Sequence, residues 1–243
     1  MPEGHTLHRL AEELHPLIGR RFAASSPQGR FAAGADILDG RRLAAVEAVG
    51  KHLLFDFDGV VLHVHLGMAG SMFPSDPSGA PRSGVRLRLV DEKEEVAWNL
   101  AAPTRCELWS GDERRALFDR LGPDPLRGDD PGPAFERIAR SDRTIGELLL
   151  DQAVIAGIGN VFRAEVLHRC GVHPSRPGRS LTQAELTCLW ETAITRMRRA
   201  VRAGRIDGRS VYQQETCRRC GGPVTSWALG ARTAYACAAC QPR

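Results

Sequence analysis

Four of the seven cysteines fall as Cys217-x2-Cys220-x16-Cys237-x2-Cys240. Two Cys-x-x-Cys knuckles at that separation supply four thiolates, the donor set of one tetrahedral zinc. Four protein ligands close the site, so the ion, Zn2+ at one per chain, is structural rather than catalytic. Gly221-Gly222 permits the tight backbone of the first knuckle. At the other end the chain reads Met1-Pro2-Glu3-Gly4. Removal of Met1, usual before a small residue, leaves Pro2 as a free secondary amine beside a carboxylate. An α-amino group titrates near ~7.7–8.0 against ~10.4 for lysine, so about a tenth of it is unprotonated at neutral pH. Attack of that amine on an electrophilic carbon gives a cationic iminium, and Glu3 is placed to move the proton as general acid.

Three further constellations carry chemistry. In Asp151-Gln-Ala-Val-Ile-Ala-Gly157-Ile-Gly159-Asn160, two glycines interrupt a helical pattern that resumes at once. Asn160 then lies at a helix start, where exposed N–H groups bind phosphate; a plain packing corner capped by Asn160 fits the spacing as well. Lys51 is one of only two lysines beside 31 arginines, which marks a position suited to a compact point charge. His63 and His65 alternate along one strand face and could line a groove; without a neighbouring acid they do not form a metal site.

These residues need elements to hold them. Apolar positions from Leu7 to Ile18 follow a helical period that ends at Gly19, with Thr6 available as a cap. Residues 52–67 read as two strands around an Asp58-Gly59 hairpin turn. Residues 85–90 and 95–100 predict a second hairpin, and 106–109 a further strand. The stretch 1–120 is therefore an N-terminal antiparallel β-sandwich with a flanking helix, the catalytic domain. Pro and Gly cluster within a linker over 121–135. Helical patterns follow in AFERIAR, TIGELLLDQAVI and VFRAEVLHRC, and a Thr182-x-x-Glu185 capping box opens a long helix to about Arg202. This helical domain covers 136–210 and a zinc-finger hairpin 211–243, turning at Leu229-Gly230 with Arg232 near its tip. The fold class is α+β.

Composition sets the outer bounds. The chain has 243 residues, 42% apolar, with no run long enough to span a membrane and no apolar leader. The expected location is the cytoplasm, and the expected state a monomer. Residues 1–135 carry 16 basic and 20 acidic side chains, net −4, whereas residues 136–243 carry 17 and 9, net +8. A basic C-terminal half suits a polyanion, most directly nucleic acid. An odd cysteine count without an export signal argues against a disulfide framework, so Cys106, Cys170 and Cys188 read as small buried apolar residues.

Together these segments resemble the formamidopyrimidine-DNA glycosylase / endonuclease VIII family of base-excision repair. The resemblance rests on MPEG, GKHLL (50–54), HLGMAGS (65–71), LGPDPL (121–126), LLDQAVIAGIGNVFRAE (149–165) and the four-cysteine finger, in that order. It implies a helix–two-turns–helix element at Gly157-Ile-Gly159-Asn160. It also implies a bifunctional DNA glycosylase and abasic-site lyase acting on damaged DNA, as duplex, single strand or bubble. Pro2 is implied as the nucleophile forming a Schiff base, Glu3 as its acid/base partner, and Lys51 is grouped with them. Lys51, Asn160 and Arg232 match positions that bind the DNA backbone, as does His65, and Met68 matches a filler of the void left by the flipped base.

The departures bear on substrate. His5-Thr6 stand where the family has a second Pro-Glu pair. Thr104 and Cys106 replace the arginine and the aromatic wedge of the branch specific for oxidised guanine, and Met68 is kept. Only RIDGRSVYQQET (205–216) precedes Cys217, too short for that branch's lesion-capping loop. The resemblance therefore implies the endonuclease VIII side and oxidised pyrimidines. A glycosylase for oxidised purines and a noncatalytic binder of damaged DNA are the alternatives. A zinc ribbon of the transcription or translation machinery would explain only the cysteines.

Overall fold

The computed structural model describes residues 2–243, so Met1, and with it the expected removal of the initiator, lies outside the described residues. The chain forms two compact units: Pro2 with Thr6–Asp119, and Glu3–His5 with Arg120–Arg243.

In the first unit, helix α1 (Gly4–Leu14) buries Leu7, Leu10 and Leu14 and tightens into a 3-10 turn at His15–Leu17. The helix already starts at Gly4, so Thr6 lies within it and does not cap it. Two four-stranded antiparallel sheets follow. One takes β1 (Phe22–Ser25), β6 (Val85–Asp91), β7 (Ala97–Ala101) and β5 (Ser71–Ser75), in that order. The other takes β2 (Leu43–Val49), β3 (His52–Phe57), β4 (Val60–His65) and β8 (Arg105–Trp109). Leu87, Leu89, Trp98 and Leu100 from one sheet share a core with Leu53, Phe55, Phe57 and Leu62 from the other, as in a sandwich. Short helix α2 (Ala32–Leu38) adds Ala35 and Leu38 to that core. The Asp58-Gly59 turn has φ of +50° and +87°, the left-handed pair that a two-residue hairpin loop requires.

In the second unit the chain runs from the end of helix α3 (Gly111–Arg120) into the Pro/Gly segment. That segment is pinned: Gly122 N–H donates to the Gln152 carbonyl and the Pro123 carbonyl accepts from Ala156 N–H. Helices α4 (Gly132–Ala139), α5 (Ile145–Leu148), α6 (Asn160–Arg169) and α7 (Gln183–Ala203) follow. Thr144 with Glu147 and Thr182 with Glu185 form complete capping boxes. Phe162, Val166 and Leu167 of α6 pack with Leu189, Ala193 and Met197 of α7 in the core. A hairpin of β9 (Val224–Leu229) and β10 (Arg232–Cys237) ends the fold.

Two expectations are corrected. The helical pattern through TIGELLLDQAVI yields only the four residues of α5. Beyond it the Gln152 amide takes over the bonds a helix would use: its Nε2 donates to the carbonyls of Leu150 and Ile158, and its Oε1 accepts from Gly157 N–H. Cys170 and Cys188 are not independent buried thiols but a disulfide, because the C-terminus of α6 and the second turn of α7 bring their Cα atoms to 6.0 Å. Cys106 is half-buried against the sandwich core, and burial pushes its thiol up to about 12. No helix among the described residues is long and apolar enough to cross a membrane.

Candidate active site and metal centre

The chemistry expected of the α6 N-terminus is there, but the terminus is already occupied. Glu3 is 1% exposed. Its Oε1 accepts from Val161 N–H at 2.9 Å, and its Oε2 accepts from Gly159 N–H at 3.0 Å and Phe162 N–H at 3.3 Å. Orphan N–H groups and the positive end of a helix stabilise a carboxylate anion. The phosphate-binding terminus expected from Gly157-Ile-Gly159-Asn160 is thus a cradle for Glu3. Gly159 is required there, since a Cβ on it would overlap the Glu3 carboxyl group. The next residues are stitched to the same place: Gly4 N–H donates to the Gly157 carbonyl, and the His5 ring meets the edge of Phe162 at 5.3 Å. Pro2 is covalently joined to this cradle through Glu3.

Asn160 is the first residue of α6, nearly buried, with Gly159 in the cap position. Its Nδ2 donates to the Thr233 carbonyl at 3.1 Å, and buried Arg163 donates to the same carbonyl at 2.6 Å. Burial lowers the Arg163 guanidinium to about 10, against the opposing pull of the Glu3 charge. Thr233 neighbours Arg232 in β10, so one carbonyl ties the Asn160 end of α6 to the hairpin tip that carries Arg232. Tyr212, not singled out from the sequence, stacks edge-on with Tyr235 at 5.1 Å, and burial raises its phenol. Glu165, also missed, is buried and accepts from the backbone N–H groups of Ser210, Val211 and Tyr212, fixing the short segment before the finger.

The first unit gathers the remaining candidates. Lys51 occupies the turn between β2 and β3, and His65 ends β4 close enough to feel its charge. Burial, then Lys51, then Arg105 lower the His65 imidazole. Its Nδ1 accepts from Gly67 N–H at 3.1 Å, so the neutral ring carries its proton on Nε2. His52 Nδ1 and His63 Nε2 share a hydrogen bond of 2.9 Å, and His63 stacks on Trp109. His63 is therefore a core group, not part of a groove wall. Met68 follows in the same loop and is 63% exposed. Thr104 N–H donates to the His65 carbonyl, which sets the exposed Thr104 beside it.

The four finger cysteines present Sγ atoms all within 4.8 Å of one another. Cys220 and Cys237 approach to 3.4 Å and Cys217 and Cys240 to 3.9 Å. A metal held by four thiolates at ~2.3 Å requires sulfur separations of about 3.8 Å, which this cluster meets. Burial and the neighbouring sulfurs push the Cys240 thiol up to about 12, so a cation is what lets the four give up their protons together. The cluster is zinc-finger-like, and His168 Nε2 contacts Cys217 Sγ at 3.2 Å behind it.

A β-sandwich, a buried acid held at the N-terminus of α6 and a four-cysteine hairpin are together the features expected of a DNA repair glycosylase. Comparison with known proteins agrees. Residues 1–115 match the formamidopyrimidine-DNA glycosylase N-terminal domain, and residues 121–211 match the formamidopyrimidine-DNA glycosylase H2TH domain. The chain is 41% identical to Endonuclease 8 1 of Mycobacterium tuberculosis (strain ATCC 25618 / H37Rv), over 99% of this chain and 100% of the relative. It is 33% identical to the formamidopyrimidine-DNA glycosylase of Methylococcus capsulatus, over 85% and 84%. In fold it is similar to Lactococcus lactis formamidopyrimidine-DNA glycosylase bound to DNA containing an abasic site, with TM-score 0.87 and 23% identity over 99% and 100% of the two chains. The chain belongs to the formamidopyrimidine-DNA glycosylase / endonuclease VIII family, DNA glycosylases of base-excision repair with abasic-site lyase activity.

Proposed function

We propose that the chain removes oxidised pyrimidines from DNA through a Schiff base on Pro2 and then cleaves the strand by successive β- and δ-elimination. The observation that carries this reading is the Glu3 carboxylate, buried in the amide cradle of α6 and joined covalently to Pro2. The Pro2 nitrogen attacks C1′ of the damaged nucleotide. The bond to the base breaks and the base leaves with the electron pair, taking the proton released from the Pro2 nitrogen; the C1′–O4′ bond then opens, the ring oxygen takes up a second proton, and an iminium remains between C1′ and the Pro2 nitrogen. The iminium acidifies C2′–H; loss of that proton expels the 3′ phosphate, and a second elimination expels the 5′ phosphate. Glu3 rests as the anion, so it first offsets the cation growing at C1′ and the iminium. It serves as acid only after taking a proton onto a lone pair its amide donors leave free.

Lys51, His65, Asn160 and Arg232 hold DNA phosphates in this reading, and Met68 fills the space the flipped nucleotide vacates. The metal is one structural zinc on Cys217, Cys220, Cys237 and Cys240. The preference for pyrimidines rests on Thr104 and Cys106 at the wedge positions and on the short 205–216 segment; the half-buried Cys106 has no aromatic ring to insert. The protein works as a monomer on chromosomal DNA in the cytoplasm.

Borohydride trapping tests the reading. An oligonucleotide with one abasic site should form an adduct on a chain beginning at Pro2, and Pro2→Ala should form none. An intact protein that binds the oligonucleotide, begins at Pro2 and yields no adduct is instead the noncatalytic binder.

A further inference from the structure

Helices α6 and α7, with the segment after α7, enclose a cavity of about 510 Å3 that the proposed chemistry does not use. None of Pro2, Glu3, Lys51, Asn160 or Arg232 lines it. Its apolar part is Phe162, Ala200 and Ile206, and its other end carries Arg169 and Arg196. A smaller recess of about 160 Å3 shares those two arginines and is lined also by Arg219, Ser210, His168 and the Glu165 carboxylate.

The charges in this groove are incompletely matched. Arg199 pairs with Asp207 at 3.2 Å. Arg196 Nη2 donates to the Gly208 carbonyl at 3.2 Å and lies 3.5 Å from Glu165, but that carboxylate is already engaged by three backbone N–H groups. The Nε of Arg196 is buried with no hydrogen-bond partner among the described residues. Arg169 and Arg219 are exposed and form no hydrogen bond or ion pair among the described residues. Three guanidinium groups thus face one recess with spare donors. The negative end of the α6 dipole opposes an anion there, but it is equivalent to roughly half a charge and three arginines outweigh it. Glu191 and Thr195 on α7 offer acceptors along the wall.

We propose that this groove binds a free nucleoside monophosphate, separately from DNA. The planar forks of Arg169, Arg196 and Arg219 take the phosphate, where paired N–H donors match its oxygens. Glu191 and Thr195 accept from sugar hydroxyls, and the base lies against the half-buried Ile206. A cavity of this size is in the range that holds a small organic ligand.

The probes are thymidine 5′-monophosphate and adenosine 5′-monophosphate, followed by 1H–15N NMR on the zinc-loaded full chain, alone and saturated with abasic-site duplex. Shifts centred on Thr195, Arg196 and Ile206 are expected, with thymidine and inorganic phosphate each binding more weakly. Arg169→Ala combined with Arg219→Ala should weaken binding by about tenfold or more. Both side chains are exposed and unpaired, so zinc content and duplex affinity serve as the check on folding. Absence of shifts at millimolar nucleotide overturns the site, as does unchanged affinity in a folded double variant. Displacement of the nucleotide by the duplex also overturns it, since the groove would then be part of the DNA track.

Discussion

At the scale of single residues, His65 is the group whose chemistry the structure defines most closely. Burial and the charges of Lys51 and Arg105 hold its imidazole below the usual ~6.5, and Gly67 N–H needs Nδ1 as an acceptor. Protonation would place a hydrogen on that acceptor and a second cation beside Lys51. The unfolded chain therefore binds a proton more readily than the folded one. Stability from this residue is complete above the unfolded value and is lost as pH falls through it toward the folded value. We expect the His65 ring to titrate below ~6.5 by NMR, and the loss of stability on acidification through that range to shrink in His65→Gln. A midpoint above that of a free histidine would reverse the sign and refute the account. Part of this was legible, because His65 and Lys51 were marked by residue type. The proton's position was not, since it depends on a backbone amide two residues on and on a turn from another strand pair.

Elements show more clearly where a sequence stops informing. The Asp58-Gly59 hairpin, both capping boxes and the finger hairpin are local, and each was readable from a few adjacent residues. The cradle is not local: it joins Glu3 to amides 156 residues or more along the chain. Likewise the end of α5 depends on the Gln152 amide, which no periodicity reveals, and the Cys170–Cys188 disulfide depends on where two helices meet. The cradle makes Gly159 the element's most demanding position. Its φ of −117° suits any residue, so the requirement is space alone. Gly159→Ala should expel the Glu3 carboxylate from the α6 terminus while leaving the helix and the finger intact. Trapping on abasic DNA should fall by about 10²-fold or more, the scale of a lost acid/base group, with helical circular dichroism and zinc content unchanged. Retained trapping in that variant would mean that Glu3 does not act from the cradle.

On the scale of the whole molecule, charge is what the two halves divide between them. The +8 of residues 136–243 against the −4 of residues 1–135 is not spread evenly even within the basic half. Arg163 is buried and spent on two carbonyls, Arg176 on Glu185, Arg143 on Asp151, and Arg199 on Asp207. The number of arginines therefore overstates the cations that meet a phosphate. What counts is the number of counterions released, and each phosphate neutralised contributes about −0.9 to the slope of log K against log salt. Arg232 stands at the start of β10, held by the hairpin whose Thr233 carbonyl binds Asn160 and Arg163, so its charge is presented by a rigid support. If it neutralises one phosphate, Arg232→Ala should reduce that slope by about 1 and weaken binding alike on unrelated sequences. Fluorescence anisotropy on two abasic duplexes of different flanking sequence, across a salt series, measures both quantities. A loss confined to one sequence would assign Arg232 to base recognition, and an unchanged slope would leave it outside the DNA path.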